Sequence, residues 1–425
     1  MKSADFLSQG TETTSEPSMK KVLFIYYFFP PLMGDWRGVG FARFLPEFGW
    51  QPIVISAADC VSYRKDYSLL KMVPAETRVH RVGHREPKLK EWQYALNKFR
   101  INYIFPDEYK SWYSPAIQQA RKVLRQEKID LIFSSSSPST SAFIAMKLKE
   151  EFNIPWVAEW RDLWSANTFT NRNYDKMLIK PLRQLQRFQM RVGERDILRR
   201  ANKTVVVSQH HREQLGHLHG AEEGRITVIT NGYDEPDFTE LKPSSIYPGK
   251  MTITFLGTVY SPFQESIDLF LRTVTEIDKY VEVVFIGRGA ADMQGTTMEN
   301  LTLVLHLVKE KALSFASGSD FLFLVMPPNA KWIPGKIFEY LRLGKPILAL
   351  VPEDGDVATI VNEARAGFVL SYDPEKLKQQ LTLIFQGWKT GEFKGFRPDW
   401  EYVAQFERRN LTKQLAECFD SAGLK

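Results

Sequence analysis

The chain has 425 residues, of which 44% are hydrophobic and 25% are charged, and its formal net charge is +6. This length exceeds what one hydrophobic core usually serves, so the composition predicts a globular protein with two domains. Only two cysteines are present, Cys60 and Cys418, and their separation argues against a disulfide framework or a thiolate metal site and fits a reducing cytoplasm.

The amino-terminal segment, residues 1–19, is polar and lacks the apolar centre of a secretory signal, so it is predicted to be a disordered tail. No apolar run reaches the roughly 18 residues that a bilayer-spanning helix needs. The longest runs, at 22–32 and 321–328, are interrupted by prolines. These patterns predict a cytoplasmic protein that does not span a membrane.

Two segments of the chain are rich in basic residues, at 78–90 and 187–200. Solvated helix faces are the simplest interpretation of such clusters. The alternative is peripheral contact with an anionic membrane surface, or with a phosphorylated acceptor. Nucleic acid is not expected as a partner, because neither zinc-finger spacing nor an aromatic RNA-binding signature accompanies the charge.

Short β-rich runs alternate with helical patterns along the chain, as in parallel sheets covered by helices. A first series of strands is predicted at 22–26, 52–55, 131–133, 156–158, 204–207 and 227–229. Helices are predicted between them at 39–48, 114–127, 139–151 and 180–200. This series defines a first Rossmann-like domain, residues 20–235.

A polar, proline-containing segment at 233–250 predicts the passage between the domains. A second series of strands follows at 252–256, 281–286, 301–305, 321–325, 346–350 and 367–370. It defines a second Rossmann-like domain, residues 250–399. The remaining residues, 400–425, predict a helix whose apolar positions would pack back on the first domain.

One segment of the second series, residues 332–350, carries the clearest signs of chemistry. Pro334 and Gly335 mark the start of a short helix. Its free amides and dipole form an anion site, to which Lys336 adds a full charge, so a pyrophosphate would fit. Glu339 lies on the same helical face, where its carboxylate would accept hydrogen bonds from ribose hydroxyls. A surface ion pair between Lys336 and Glu339 is the alternative.

The sequence PGKIFEYL at 334–341, followed by GKPI at 344–347, resembles the donor-site motif of the retaining nucleotide-sugar glycosyltransferases of family four. Further segments agree with that family in order: YYFFPPLMG at 26–34, EWRDLW at 159–164, ITNGYD at 229–234, FLG at 255–257 and FIG at 285–287. The resemblance implies the glycosyltransferase B fold, in which two Rossmann-like domains with parallel sheets face across a cleft. It places the donor on the second domain and the acceptor on the first.

On the acceptor side, the resemblance implies that Gly34 permits close approach at the cleft floor, with Asp35, Trp36 and Arg37 lining it. A hairpin turn at Gly34 is the alternative.

A second acceptor-side pair, Arg161 and Asp162, follows a strand end, where open α/β sheets place their ligands. Asp162 would accept the proton of the acceptor hydroxyl or orient the acceptor, and Arg161 would bind a phosphate. A structural Arg–Asp pair is the alternative.

On the donor side, the resemblance implies contacts to the nucleotide-sugar from residues at the domain openings: Gly257, Thr258, Arg288 and Asn231. For Asn231 a turn is the alternative, and for Arg288 a solvent-facing loop position. The family scheme needs no metal or other cofactor, because retention relies on stabilising the leaving phosphate, here by Lys336 and the helix amides.

The chain also departs from the family pattern. Lys331 stands where many members carry a glutamate, and Thr258 begins a stretch without the usual diphosphate-binding Arg and Lys. The diphosphate would then depend on Lys336, with Arg288 or Arg37.

The function predicted from these features is transfer of a hexosyl or N-acetylhexosaminyl group, with retention, from a UDP-sugar to a saccharide or lipid-linked saccharide in bacterial surface-polysaccharide assembly. Two alternatives stay open: a nucleotide-sugar epimerase of the same fold, and a catalytically silent sugar-nucleotide-binding subunit. A dinucleotide oxidoreductase is disfavoured, because Arg43 stands where its glycine fingerprint needs a small residue. His210 and His211 are interpreted as surface residues.

Overall fold

The computed structural model of the protein is organised around two parallel sheets. It describes residues 19–32, 36–58, 65–84, 107, 109–165, 180–245, 247, 249–259, 261–288, 300–305, 307–391 and 396–423. The predicted site residues Gly34 and Asp35, and the predicted tail up to residue 18, lie outside these ranges.

The strands of the first sheet are short, β-branched and aromatic, and most are buried on both faces, as parallel strands between helices should be. They are β1 Lys20–Ile25, β2 Trp50–Ala57, β3 Arg78–Val82, β4 Leu131–Ser136, β5 Trp156–Trp160, β6 Lys203–Val206 and β7 Ile226–Val228. Their spatial order is β3-β2-β1-β4-β5-β6-β7.

The first sheet is covered by helices on both faces. They are α1 Trp36–Phe44, α2 Lys110–Gln126, α3 Thr140–Phe152, α4 Lys180–Arg200 and α5 Gln209–His219. One core joins the sheet to α2, α3, α4 and α5. A second core joins the opposite face to α1 and the end of the chain.

Strand β3 is a feature that the sequence patterns missed, because residues 78–82 stood out only as part of a basic cluster. The strand pairs only with β2 and forms the edge of the sheet. Four of its five residues keep some exposure to solvent. Cations on an edge strand discourage pairing with other chains, and this accounts for a strand that lacks an apolar pattern.

The second sheet has the same construction with six parallel strands. The strands are β8 Thr252–Leu256, β9 Glu282–Ile286, β10 Leu301–Val304, β11 Phe321–Val325, β12 Ile347–Leu350 and β13 Gly367–Leu370. Their order is β10-β9-β8-β11-β12-β13. A short helix, α6 Pro236–Thr239, lies in the connection between the sheets. The further helices are α7 Gln264–Ile277, α8 Lys309–Ser317, α9 Lys336–Leu343, α10 Asp356–Glu363 and α11 Pro374–Thr390. The predicted α/β fold class is confirmed.

The end of the chain forms two helices, α12 Trp400–Ala404 and α13 Arg408–Gly423, where one continuous helix was predicted. The division has a clear cause at Phe406. Its carbonyl oxygen accepts a hydrogen bond from the amide of Tyr233 at 3.1 Å, and the amide of Arg408 donates to Tyr233 at 2.9 Å. Residues 405–407 therefore pair with the interdomain connection instead of continuing the helix.

Helix α13 packs on the first sheet, although it follows the second-domain residues in sequence. Leu411, Leu415 and Phe419 belong to the core formed by β1, β4 and α1. The ring of Phe419 lies 5.3 Å from those of Trp50 and Phe133.

Both sheets reverse their strand order at one point, between β1 and β4 and between β8 and β11. Ligands of open α/β sheets bind at the carboxyl ends of the strands at such reversals. In the described part of the chain, no helix is both long and apolar enough to cross a membrane.

Candidate active site

The carboxyl edge of the second sheet, here the second-sheet edge, is shaped by two glycines at the ends of β8 and β9. Gly257 has φ +130° and Gly287 has φ +145°, values that residues with a side chain rarely adopt. A Cβ atom at Gly287 would lie 2.0 Å from the carbonyl oxygen of Gly257. The two glycines therefore let the backbones at the ends of β8 and β9 approach closely, with no side chain of their own above them. We call the surface that they form, beside the reversal between β8 and β11, the glycine ledge.

Lys336, the first residue of α9, projects over this ledge. Its Nζ atom lies 3.5 Å from the ring centroid of Phe255, and a Cβ atom at Gly257 would be only 3.3 Å from it. Although part of the side chain stays exposed, desolvation lowers the pKa of Lys336 to about 7, against the raising effect of Glu339. An arriving anion would restore the charge that burial disfavours.

The packing of α9 fixes the position of Lys336. Ile337, Phe338 and Tyr340 are buried, and the Tyr340 hydroxyl accepts a 2.7 Å hydrogen bond from the amide of Leu256. Burial raises the pKa of Tyr340, so its hydroxyl stays protonated. The helix start is thereby tied directly to the end of β8.

Gly335 precedes Lys336 and has no evident structural need to be a glycine. Its φ is −56°, an ordinary helical value, and a Cβ atom there would meet nothing within 4 Å. The residue is also exposed. Glycine is a common residue at the N-cap of a helix, and here it also leaves open space beside the first amides of α9.

Glu339 is not paired with Lys336, contrary to the ion pair considered as the alternative. Its Oε1 atom lies 2.9 Å from Nζ of Lys309, at the start of α8. Lys309 also contacts Asp237 of the connection, at 2.7 Å. Burial acts to lower the pKa of Lys309, but the two carboxylates outweigh it and raise the pKa. Lys309 is a site residue that the sequence patterns missed, because no spacing links it to Glu339.

Lys309 also links the second domain to the first. Its ammonium lies 4.9 Å from the ring centroid of Trp36, at the start of α1. This cation–π contact joins the predicted acceptor residue Trp36 to the predicted donor residue Glu339 through one side chain.

A second bridge between the domains lies at the start of α5, where the amide of His210 donates to the Asp356 carboxylate at 3.1 Å. His210 and His211, which were interpreted as surface residues, are only partly exposed and lie at the domain junction. Burial lowers the pKa of His211, while Asp162 of the first domain and Asp356 of the second act to raise it. The position of α5 at the carboxyl end of β6 was the sequence signal that could have located them.

At the carboxyl edge of the first sheet, here the first-sheet edge, Arg37 points inward. It is 4% exposed, and its Nε atom lies 2.6 Å from Glu159, which is 1% exposed. Its two terminal nitrogens donate to the carbonyl oxygens of Ile229, at 2.7 Å, and Thr230. The prediction that Arg37 lines the cleft is corrected: the side chain is buried, and each of its nitrogens donates to a group at the end of β5 or just after β7.

Arg161 and Asp162 follow β5, as predicted, but they do not form the Arg–Asp pair considered as the alternative. Arg161 donates from Nη2 to the carbonyl oxygen of Ser137 at 3.2 Å, and its amide donates to Ser136 at 2.9 Å. Asp162 is exposed beside His211. Arg161 thus braces the loop after β4, while the Asp162 side chain stays exposed.

The end of β4, the loop that follows it and the start of α3 form a serine-rich segment at the first strand reversal, which the sequence patterns did not single out. Ser135, Ser136 and Ser141 are at most 2% exposed, and within the described residues their hydroxyls have no hydrogen-bond partner. The first amide of α3 already has a hydrogen-bond acceptor within the protein, because the Asp107 carboxylate accepts from the amide of Thr140 at 2.7 Å.

The other predicted donor residues are distributed over both edges. Thr258 and Arg288 lie on the ledge, where the amide of Val259 donates to the carbonyl oxygen of Arg288 at 2.9 Å, and the Arg288 side chain is exposed. Asn231 lies instead in the first domain, beside the connection, and is partly buried. Lys331, the departure from the family pattern, pairs with Asp354 at 2.6 Å. The structure therefore places Lys336 against Gly257, with Thr258 and Arg288 in the adjoining turn, while Asn231 lies next to Thr230, which lines the domain junction.

A cavity of about 220 Å³ lies at the domain junction. Gln209 and Thr230 of the first domain form one wall, and Ile333 and Asp356 of the second form another. Since Ile333 lies just before α9, the cavity adjoins the helix that carries Lys336. Among the described residues, no group of three or more His, Cys, Asp or Glu is placed to hold a metal ion.

Residues 40–235 match the family described as Glycosyltransferase Family 4. No curated protein matches the chain.

Solved structures match nearly the whole chain at low sequence identity. The Anabaena protein HepE, in complex with UDP and glucose, has a TM-score of 0.61 at 13% identity, over 95% of this chain and 100% of HepE. Sucrose-phosphate synthase from Thermosynechococcus elongatus has a TM-score of 0.64 at 14% identity, over 94% and 98%. The lipopolysaccharide outer core galactosyltransferase WaaB, in its apo form, has a TM-score of 0.60 at 10% identity, over 94% and 99%. The likeness shows that the chain has the glycosyltransferase B fold.

Proposed function

We propose, from the match of residues 40–235 to Glycosyltransferase Family 4 and the glycosyltransferase B fold of the chain, that the protein transfers a sugar from a nucleotide diphosphate sugar to a saccharide or lipid-linked saccharide. The observation that carries the proposal is the half-buried Lys336, held over the glycine ledge at the second strand reversal.

The donor diphosphate binds at the start of α9. Gly335 leaves room for a phosphate against the free helix amides, and Lys336 supplies the charge. A neutral Lys336 takes up a proton as the diphosphate binds, because the anion offsets the cost of desolvation. The same ammonium then stabilises the negative charge that develops on the leaving phosphate. Thr258 and Arg288 on the ledge are proposed to contact the nucleotide.

The nucleoside ribose contacts Glu339. One carboxylate oxygen of Glu339 is held by Lys309, which leaves the second oxygen for a ribose hydroxyl. Uridine is the proposed base, because HepE was crystallised with UDP and glucose.

The acceptor binds on the first-sheet edge, with Asp162 as the group that accepts or orients its hydroxyl proton. Asp162 is exposed, and the partly buried His211 lies in its electrostatic range. Retention of configuration is proposed because the donor scheme needs only a stabilised leaving phosphate on the face where the hydroxyl attacks.

The first test is a thermal-shift screen of the purified protein against uridine, guanosine, adenosine and cytidine diphosphates and NAD, since a ligand of the folded state raises apparent stability. We expect a selective shift with uridine diphosphate. The shift should be lost in Lys336→Ala and reduced in Glu339→Ala, while Lys311→Ala, an exposed lysine of α8, should behave as the wild type.

Turnover separates the transferase from the alternatives. Incubation with the UDP-sugar and a saccharide acceptor should release uridine diphosphate and extend the acceptor. Asp162→Asn should lower turnover by at least about 100-fold and leave the donor shift unchanged. Isomerisation of the sugar-nucleotide without acceptor would instead identify an epimerase, and a thermal shift without any chemistry would identify a silent subunit. The proposed donor site would be refuted if none of the nucleoside diphosphates raised the unfolding temperature of the protein.

A further inference from the structure

Helix α4 of the first domain has two unlike halves. In its second half Glu194, Ile197 and Leu198 are buried against the first domain. In its first half, almost every described side chain between residues 184 and 191 is exposed. A helix is normally stabilised by packing an apolar face, and within the part of the chain that the structure describes this half of α4 has no such packing.

Contacts at both ends of the packed half show where the exposed half lies. The amide of Asn202, just after α4, donates to the Trp156 carbonyl oxygen at the start of β5, at 2.8 Å. Glu194 accepts a 2.8 Å hydrogen bond from the amide of Ser165, which follows the end of β5. The packed half therefore spans the strand, and the residues before Glu194 extend beyond the first-sheet edge, on the side where Asp162 lies.

One side of α4, which runs along both halves, combines apolar and cationic side chains. Leu185 is 54% exposed and Phe188 is 64% exposed. Arg191, Arg195 and Arg199 follow at intervals of four residues and are also exposed. At roughly 100° per residue, these five residues lie within one side of the helix, opposite the buried Ile197. We call this surface the α4 face.

We propose that the α4 face docks the protein on a bilayer that contains anionic lipids. Leu185 and Phe188 enter the boundary between headgroups and acyl chains, and the arginines contact lipid phosphates. The charge of the face favours this partner, because the two acids within α4 are the buried Glu194 and the partly buried Asp196, while the three arginines of the face are exposed. Helices with an apolar side and a basic side lie in membrane interfaces for these two reasons together.

This docking would bring the first-sheet edge close to the lipid surface. An acceptor carried by a lipid would then reach Asp162 without leaving the bilayer. The membrane contact itself does not depend on the proposed transferase chemistry, because it uses residues of the first domain and needs no donor.

The test is sedimentation of the full-length protein with vesicles of phosphatidylcholine, alone or with phosphatidylglycerol, in the absence of any nucleotide. We expect binding only to the vesicles that contain phosphatidylglycerol. Replacing two arginines, in R191Q/R195Q, should weaken that binding about 30-fold. Each basic residue near an anionic surface contributes about 1 kcal/mol, and about 1.4 kcal/mol corresponds to a tenfold change in affinity. L185S/F188S should weaken it as well.

Matched controls are available on the second domain. K311Q/K376Q makes the same change in net charge at exposed lysines, and L383S removes an apolar residue that is 69% exposed. Both should bind vesicles as the wild type does. The proposal fails if the wild type ignores anionic vesicles, binds neutral ones equally, or loses binding as much in the controls as in the α4-face variants. The thermal shift with uridine diphosphate, measured on the same proteins, is expected to be unchanged and keeps this failure separate from a failure of the donor site.

Discussion

The two edges that face each other across the domain junction use their charged residues in opposite ways. At the second-sheet edge, Lys336 is partly desolvated and has only one carboxylate, that of Glu339, acting on its pKa. At the first-sheet edge, Arg37 is fully engaged by Glu159 and two carbonyl oxygens. Among the described residues Lys336 has no close ion-pair partner and can receive an anionic ligand, whereas Arg37 is buried against a carboxylate and two carbonyl oxygens and holds the fold.

The contrast is sharpest at Arg37, where the largest effect on stability is expected. Arg37→Met leaves Glu159 buried without its ion-pair partner and should lower the free energy of unfolding by about 3–5 kcal/mol. Denaturant unfolding measures this change. Arg43→Met, in the same helix but partly exposed, is the matched control and should change stability by less than about 0.5 kcal/mol. If Arg37→Met were as stable as the wild type and had lost only acceptor affinity, the structural role of Arg37 would be contradicted and the residue would be assigned to acceptor binding.

The pKa of Lys336 gives the next prediction. In the free protein this pKa is about 7, because desolvation disfavours the charged form, and the bound diphosphate should raise it. Between these two pKa values the free protein holds fewer protons than the complex, so donor affinity should fall by up to about tenfold for each pH unit above 7. Calorimetry with a nucleotide diphosphate sugar, in two buffers of different ionisation enthalpy near about pH 8, should detect the uptake of close to one proton. Lys336→Met should abolish the uptake, and an unchanged uptake in that variant would assign the proton to another group.

A smaller effect is expected at Lys309, which joins the two edges. Lys309→Met removes its contacts with Glu339, Asp237 and the ring of Trp36 together. We expect KM for the donor to rise by about tenfold, because Glu339 is no longer held in place, with a smaller change in kcat. Lys309→Arg should restore part of the loss. A fall in kcat with unchanged KM would contradict this role and place Lys309 in the chemical step.

The smallest effect on stability is expected at Gly335, which makes it the cleanest test of the second-sheet edge. Gly335→Ala should change unfolding by no more than about 0.5–1 kcal/mol, in the stabilising direction, since its φ is helical and its Cβ would meet nothing. Donor affinity should nevertheless fall. Gly287→Ala is the counterpart, because φ +145° and a 2.0 Å clash should destabilise the fold itself. Equal donor affinity in Gly335→Ala and the wild type would contradict the proposal that a phosphate of the donor binds at the start of α9.

Much of the second-sheet edge was predictable because its residues are close in sequence. Gly335, Lys336 and Glu339 lie on one short helix, so helix geometry alone places them together. Their neighbour Lys309 was not predictable, since only the folding of β11 and α9 against α8 brings it to Glu339.

The first-sheet edge was harder to interpret for a physical reason. Whether an arginine faces solvent or a buried carboxylate depends on residues more than 100 positions away, as for Arg37 and Glu159. The alternation of strands and helices was enough to predict both sheets. It was not enough for β3, whose cations reflect its place at an edge, or for the break at Phe406, which depends on Tyr233.

The return of α13 to the first sheet has a consequence for how the protein is made. Phe419 and Leu415 complete a core that begins with β1, so the earliest part of the chain to emerge from a ribosome waits for the last part before its apolar surface is covered. A nascent chain interrupted before residue 408 would present that surface to the cell. Such fragments should be held by chaperones or degraded, and the second domain would be fully synthesised before the first is finished.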